Sequence, residues 1–521
     1  MKRKYSYRAG SKTVEREYNY IPVRYILAIL ISVIEVAAVI GIVVLLCYYL
    51  PYFYILAFLT QVFCVINIVS SDDNPDYKLP WLLCVMALPV VGFMLYFMFY
   101  SRKLKRKYIK RLDELKRYSV KKDDGDELSE LERKDPYAAS TMKMLGRISG
   151  AHIYKNEGIE YFTDGKYMWE RLLVDLDGAR SYIFMEYFII EEGEFWNSVL
   201  EILKRKASEG VTVRVIYDDI GCMSTLPGGY DKQLRSFGIE AVSFARLRGN
   251  ADSSFNNRSH RKITVIDGRV GYTGGVNIAD EYVDRRARFG YWKDTAARIE
   301  GSAVDELTSL FLWDFGINSR ALPPIPEPLS TDAPRKDEKG YIMPFGDGPR
   351  PIYEQRVAKS AIANMLSGAV DYAYMTTPYL IIDNELTRII ESAAMRGVDV
   401  RIIVPHVPDK RMVFKITRSS YKRLMAAGVR IFEYTPGFIH AKSYIADDKY
   451  ALIGTANLDY RSLVHNFENG LFTYGTPLTA KIKEDFLATL AVSEEIDKES
   501  LHVRAPERLL RAVLRIFAPM L

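Results

Sequence analysis

Two stretches of this chain carry the same reactive side chains at the same spacing. His260, Lys262 and Asp267 form a His-x-Lys-x4-Asp pattern that returns as His440, Lys442 and Asp447. Gly274 and Asn277 recur as Gly454 and Asn457 at the same offset, 440 − 260 = 180. Two of only six histidines thus share one frame, which marks an internal repeat. An imidazole can act as nucleophile or general acid, and an ammonium can hold an anionic oxygen. Val265-Ile266 and Tyr444-Ile445 belong to strand-like runs, and residues two apart on a strand share a face. Two such strands brought together surround one pocket with two imidazoles and two cations. That set suits in-line displacement at phosphorus: one histidine attacks, the other protonates the leaving oxygen, and the lysines hold the non-bridging oxygens. Asp267 and Asp447 fit a turn as well as they fit catalysis, since Asp267-Gly268 and Asp447-Asp448-Lys449 are turn sequences.

The flanking segments predict how these strands are held. Residues 182–190 form a buried apolar run, 196–209 an amphipathic helix stopped by Gly210, and 211–217 a second apolar run ending in Asp218-Asp219. Strand, helix, strand at this spacing predicts a parallel α/β sheet. Residues 372–376, 384–396 and 398–404 repeat the plan, with Gly397 as the stop. The predicted fold class is therefore α/β, with two pseudo-symmetric halves at 136–320 and 351–500 forming one active site. A Pro-rich linker at 321–350, containing Pro323-Pro324-Ile325-Pro326, joins them. Both motifs lie in one chain, so no second subunit is needed to complete the site.

At 521 residues more than one domain is expected. The net charge of +6 is too mild for a protein that coats nucleic acid. Cys47, Cys64, Cys84 and Cys222 show no disulfide or metal spacing, which fits a reducing compartment and gives no candidate metal site. A basic tail (1–24) precedes apolar runs at 25–50, 52–70 and 79–100, each near the roughly 20 residues that span a bilayer. The first run is long and has no small-residue cleavage site, so it is no signal peptide. Arg102, Lys103, Lys105, Arg106 and Lys107 follow the third run and place the catalytic region in the cytoplasm. The basic tail favours the same side, which needs an even number of spans, whereas the runs number three. Either the tail is outside or one run does not cross, and Glu35 marks the first as the weaker span. Residues 101–135 form a charged helical connector whose basic part can meet anionic headgroups. Residues 501–521 form an amphipathic helix that either lies on the membrane or packs on the body.

The motifs resemble those of the phospholipase D superfamily, and in detail its bacterial cardiolipin synthase branch. The matching text is Asn257 to Lys262, Tyr272-Thr273-Gly274-Gly275-Val276-Asn277, Thr377-Pro378-Tyr379, Gly454-Thr455-Ala456-Asn457-Leu458-Asp459-Tyr460-Arg461-Ser462 and Asn466-Phe467-Glu468. The similarity runs from about Asn74 onward. It implies a multi-pass cell-membrane phosphatidyltransferase that turns two phosphatidylglycerol molecules into cardiolipin and glycerol. By the same resemblance His260 attacks and forms a phosphatidyl-histidine, and His440 is the acid and then the base. Lys262 and Lys442 carry the electrostatic work without metal or cofactor. Glu468 orients a histidine, and Asp294 is its first-half counterpart, because Arg288 stands at the equivalent offset. Asn277 and Asn457 donate to phosphate oxygens or brace the turn, and the family favours the former. Ser259, Cys222 and Asn469-Gly470 depart from the family pattern and are candidates for tuning the acceptor. His152, His406, His465 and His502 have no motif around them and are expected to be structural. Alternatives with the same motifs are a hydrolytic phospholipase D, a transferase to another alcohol, a phosphodiester nuclease with no use for membrane runs, and a non-enzymatic scaffold. The last would be expected to have lost one of the four His and Lys residues.

Overall fold

A computed structural model describes residues 2–9, 12–19, 23–49, 52–100, 106–246, 257–319, 321–325, 338–497, 499–501 and 505–520. Two helices, Val23–Tyr49 and Tyr52–Ser70, contain stretches long and apolar enough to cross a bilayer, at Ile29–Leu46 and Tyr52–Ser70. Most of their described side chains have no protein cover, Ile29 being 62% exposed and Phe58 61%, while Cys64 and Ile68 of the second helix pack against Tyr77 and Trp81. Apolar side chains in that condition need lipid around them. Glu35 is exposed as well. Residues Lys2–Ala9 and Lys12–Asn19 pair as an antiparallel hairpin where composition predicts only a basic tail.

The third apolar run does not form one continuous helix. It breaks at Leu88 into Pro75–Ala87 and Pro89–Leu95, followed by a wide turn at Tyr96–Tyr100. Pro89 is the cause, since it disfavours helical geometry at the preceding residue, and Leu88 has φ −126° and ψ 76°. Gly92 permits the fold-back: a Cβ there would lie 2.3 Å from the Cys84 carbonyl oxygen. Tyr77 and Trp81 consequently meet Tyr100, with ring centroids 5.8 and 6.0 Å apart. The run leaves and returns on one level as a re-entrant hairpin.

The catalytic body contains two mixed sheets. The first has seven strands in the order Ile159–Phe162, Ala296–Glu300, Val270–Gly274, Lys262–Ile266, Tyr182–Tyr187, Thr212–Asp218 and Glu240–Phe244. Only the last three run parallel; the motif strand Lys262–Ile266 lies antiparallel to Tyr182–Tyr187. The strand–helix–strand units pair in parallel as expected, and antiparallel strands extend each sheet. Helix crossovers join the parallel strands, whereas the Asp267-Gly268 turn feeds straight back into an antiparallel neighbour. The second sheet repeats this core with Tyr372–Thr376, Asp399–Pro405, Arg430–Tyr434, Ser443–Ala446, Tyr450–Gly454 and Glu468–Tyr474. The sheets face each other across a shared apolar layer that holds Ile263 and Val265 from one and Ile445, Ile453 and Leu471 from the other.

The halves are not cut where composition suggests. Glu338–Asp347 is a strand of the second sheet, not linker, and residues 326–337 of the Pro-rich joint lie outside the described residues. Helix Pro136–Ser149 and strand Tyr154–Asn156 also serve the second half. The strand forms that sheet's far edge, and Ala138, Met142 and Leu145 sit at i, i+4 and i+7 against Ile362 and Met365.

Asp267 and Asp447 have matching places. Asp267 accepts backbone N–H bonds from Arg180, Ser181 and Tyr182 at 2.7–2.9 Å. Asp447 does the same for Val370, Asp371 and Tyr372 at 2.7–2.9 Å. Both residues have φ 54°, a left-handed conformation that aspartate tolerates at such turns. Each lies at the strand end remote from its histidine and ties the motif strand to the start of the neighbouring one. That position corrects their assignment as catalytic. Replacing Asp447 by Ala orphans three amides and should cost about 1–3 kcal/mol, lowering the thermal midpoint of the detergent-solubilised protein by a few degrees. Turnover per folded molecule should survive. Loss of turnover with an unchanged midpoint would return this aspartate to the chemistry.

Candidate active site

Each motif histidine is held by the opposite half of the molecule. The His260 backbone N–H donates to the Phe467 carbonyl at 2.8 Å, and Phe467 N–H donates to Arg258 O at 2.8 Å. In the other half, His440 N–H donates to Lys293 O at 2.7 Å, at the end of a short parallel pairing of Tyr291–Lys293 with Gly437–Ile439. The side chains follow the main chain. His260 Nδ1 lies 2.9 Å from Glu468, and His440 Nδ1 lies 2.7 Å from Asp294. The two carboxylates are therefore exchanged between halves, and both are fully buried. A carboxylate at Nδ1 fixes the tautomer with its proton there and leaves Nε2 for chemistry. Ring edges complete the hold, with Phe188 5.2 Å from His260 and Tyr282 5.4 Å from His440.

Glu468 and Asp294 occupy equivalent places despite unequal spacing. Asn457 to Glu468 is 11 positions, whereas Asn277 to Asp294 is 17. The six extra residues fall around the turn Asp280–Val283, so Arg288 stands where the simple offset predicts an acid. Arg288 instead reaches toward Glu281, at 3.4 Å. Asp294 needs the glycine beside it: a Cβ on Gly275 would lie 2.0 Å from Asp294 Oδ1. Glu468 also accepts from Thr455 Oγ1 and, at 3.2 Å, from Asn466 Nδ2.

The electrostatics favour an anionic guest. Lys262 and Lys442 are buried in one chamber with both histidines. Burial, with Lys442 close by, pulls Lys262 down to about 7, and burial pulls Lys442 down to about 8 against the pull of Asp294 and Glu468. Burial and Lys442 lower His440 to about 3, and His260 is lowered chiefly by burial, with Glu468 opposing. Burial raises Asp294 and Glu468, yet their facing histidines and lysines more than offset it and keep both ionised. At neutral pH both imidazoles are thus neutral and the ammonium ions only partly stabilised. A phosphodiester carries the negative charge that would restore the lysine protons and return one to an imidazole. Lys442 Nζ stands 2.7 Å from His440 Nδ1, which already serves Asp294; a phosphate oxygen is the better partner for that cation.

The asparagines divide. Asn277 spends both ends of its amide on protein, accepting from Ile189 N at 3.1 Å and donating to Tyr282 OH at 2.8 Å, and so braces the turn. Asn457 donates to Asp459 at 3.0 Å, and its buried Oδ1 has no hydrogen-bond partner among the described residues. Of the unmatched histidines, His152 meets Asp124, His406 meets Glu433 and His465 stacks near Tyr77; His502 lies outside the described residues. The departures from the family text are braces. Ser259 Oγ donates to Glu186 at 2.5 Å, Cys222 Sγ accepts from Ile190 N, and Asn469 joins Lys262 N to Thr273 of the first half.

One residue escaped sequence reasoning altogether. Arg261, between His260 and Lys262, points the other way into the layer between the sheets. It donates to the Glu468 carbonyl at 3.1 Å, Asp314 at 2.8 Å and Tyr353 OH at 3.3 Å. Burial and the neighbouring Asp314 raise Glu186 well above the carboxylate range. Arg261 and this acid pair therefore support the backbone that carries Glu468. The strand's alternation was the available signal: a charged residue between two site residues must face the interior and needs a partner there.

Family comparisons agree with this geometry. A profile described as "Cardiolipin synthase, PLD-like domain" matches residues 172–296 and 362–490, one match for each half, and "Phospholipase_D-nuclease N-terminal" matches 59–99. A cardiolipin synthase of Halalkalibacterium halodurans is 34% identical over 90% of this chain and 94% of its own length. The chain belongs to the cardiolipin synthase family of the phospholipase D superfamily. Another relative, an uncharacterized protein of Streptococcus mutans, is 38% identical over 88% of this chain and 99% of its own. The phosphatidylserine synthase of Haemophilus influenzae shares the fold, with a TM-score of 0.55 at 16% identity, over 74% of this chain and 98% of that one. The N-terminal match of this cardiolipin synthase family member ends with the re-entrant hairpin, at residue 99.

The exchanged carboxylates make a direct test. Glu468→Gln and Asp294→Asn keep size and hydrogen bonding but remove the charge that supports an imidazolium. Each should lower kcat by about 10²-fold or more with KM changed far less, measured in lipid–detergent micelles. An equal rise in KM and fall in kcat/KM at unchanged kcat would mean that these acids only shape substrate binding.

Proposed function

We propose that this chain is a membrane-embedded cardiolipin synthase that joins two phosphatidylglycerol molecules and releases glycerol. The observation that carries this reading is the pair of buried imidazoles, each tied at Nδ1 to an acid of the other half, with two buried lysines beside them. The relatives named cardiolipin synthase over nearly the whole chain support it. His260 Nε2 attacks the phosphorus of the first lipid. The P–N bond forms, the P–O bond to glycerol breaks, and His440 Nε2–H gives its proton to the departing oxygen. His440 then takes the proton from a glycerol hydroxyl of the second lipid, whose oxygen attacks phosphorus and breaks the P–N bond. His440 takes up its starting proton from solvent as the substrate binds, because the phosphodiester's negative charge offsets the burial and the lysines that depress it. Lys262 and Lys442 hold the non-bridging oxygens throughout, and the splitting of one displacement into two explains the need for two histidines.

The purified full-length protein, given phosphatidylglycerol alone, should yield cardiolipin and glycerol in equal amounts by mass spectrometry and a glycerol assay. Phosphatidic acid in their place would make water the acceptor and the chain a hydrolase. In the native protein, turnover of a short-chain phosphatidylglycerol quenched in alkaline denaturant, which preserves a P–N bond, should leave its adduct on the peptide bearing His260. An adduct on His440 of the native protein would reverse the two roles.

The catalytic body is assigned to the cytoplasmic side, together with the N-terminal tail. Two crossing helices and a re-entrant hairpin bring both to one face, and both flanks are basic. In a cysteine-free background, Ser11→Cys and Ser367→Cys should both resist a membrane-impermeant maleimide in spheroplasts and react after lysis. Labelling of Ser11→Cys alone in intact spheroplasts would demand an odd number of crossings.

A further inference from the structure

A second cleft of about 920 Å³ lies outside the histidine chamber. Its walls are the start of the re-entrant hairpin at Asp76 and Leu79, the helix Arg411–Ala426, and the C-terminal helix Ala505–Phe517. The floor is apolar, formed by Ile381 and Ile416, with Ala518 and Leu514 packed against them. The rim is cationic, with Arg418, Lys422, Arg508, Arg511 and Arg515. Arg418 is paired with Glu433 and Arg511 with Glu507. Lys422, Arg508 and Arg515 make no ion pair among the described residues. Asp76 is the acid on the rim, and its Oδ2 accepts from Asn384 N at 2.8 Å and Tyr460 OH at 3.0 Å.

The C-terminal helix says what the cleft receives. At 100° per residue, Arg508, Arg511 and Arg515 fall on the arc facing the cleft. Leu509, Val513, Phe517 and Leu510 fall on the opposite arc, and all four are exposed, Leu509 to 68%. One helix thus presents cations to the cleft and bare apolar side chains outward, beside a hairpin continuous with the membrane-crossing helices. That arrangement belongs at the headgroup level of a bilayer. A soluble phosphate would use the cations and leave the apolar floor wet, whereas a lipid with a phosphodiester headgroup uses both.

We propose that this cleft is a second binding site for an anionic phospholipid, separate from the histidine chamber, which docks the catalytic body on the membrane. It rests on the reading of the chain as a membrane protein and does not need that reading's catalytic chemistry. Tyr460 lines the cleft and follows the Asn457–Leu458–Asp459 segment of the histidine chamber, so a lipid held here braces the wall of that chamber.

The test uses full-length His440→Asn protein in neutral detergent with a photoactivatable phosphatidylglycerol. Labelled peptides should map to 411–426 and 505–517 and be competed by phosphatidylglycerol. Phosphatidylcholine and glycerol phosphate should compete poorly. Lys422→Glu, Arg508→Glu and Arg515→Glu, all exposed and outside the chamber, should each reduce this labelling about fivefold. They should leave labelling of the His260 peptide in place. Unchanged labelling in the triple variant overturns the proposal. Equal competition by phosphatidylcholine overturns the charge selectivity, and equal competition by glycerol phosphate overturns the lipid as occupant. Cleft labelling that persists while the native protein makes no cardiolipin would sink the catalytic reading alone.

Discussion

The crossing of the two halves at the histidines is the constraint on which the rest of the structure depends. Neither half contains a usable imidazole by itself. His260 takes its main-chain bond from Phe467 and its side-chain bond from Glu468; His440 takes the corresponding bonds from Lys293 and Asp294. A duplication in which each copy oriented its own histidine would tolerate looseness between the sheets. Here a small shift of one sheet against the other would break both dyads at once. The apolar layer shared by Ile263, Val265, Ile445 and Leu471, and the Arg261 clamp on the Glu468 carbonyl, therefore act on the chemistry as directly as they act on stability.

Burial of six ionisable groups in the same chamber sets the second condition. An unpaired buried ion costs several kcal/mol, and two ammonium ions with two ionised acids leave that cost only partly offset. The lowered proton affinities of Lys262, Lys442, His260 and His440 all point the same way. A single phosphodiester anion relieves the lysines and the acid histidine together. Binding and protonation are thus one event, and the attacking imidazole needs no deprotonation because Glu468 already holds its proton at Nδ1.

How much of this could be seen in the chain itself follows from what is periodic. The repeat, the His-Lys pairs and the strand–helix–strand units are local or equally spaced, and they were legible; Glu468 and Asp294, unequally spaced from their asparagines, came only from the family resemblance. The exchange of the acids between halves was not, since nothing in a single copy tells which imidazole lies across the interface. Asp267 and Asp447 misled because they share the motif's frame while doing backbone work 180 positions apart in the same way. A structural duty duplicates as faithfully as a chemical one. Pro136–Ser149 misled for another reason: proximity along the chain placed it with the first half, whereas its apolar stripe found its partner in the second.

The membrane region joins this argument through its hairpin. Asn74 donates to Asp383, Asp76 accepts from Asn384 and Tyr460, and Tyr77 meets His465. All of these contacts fall on the second half, around the segment that carries Asn457. A spanning helix at this point would have carried its polar start away from the body. Because Pro89 turns the run back, the same residues that end the membrane region become a wall of the catalytic body. The hairpin that follows the apolar helices is consequently joined by polar contacts to the segment that walls the chamber.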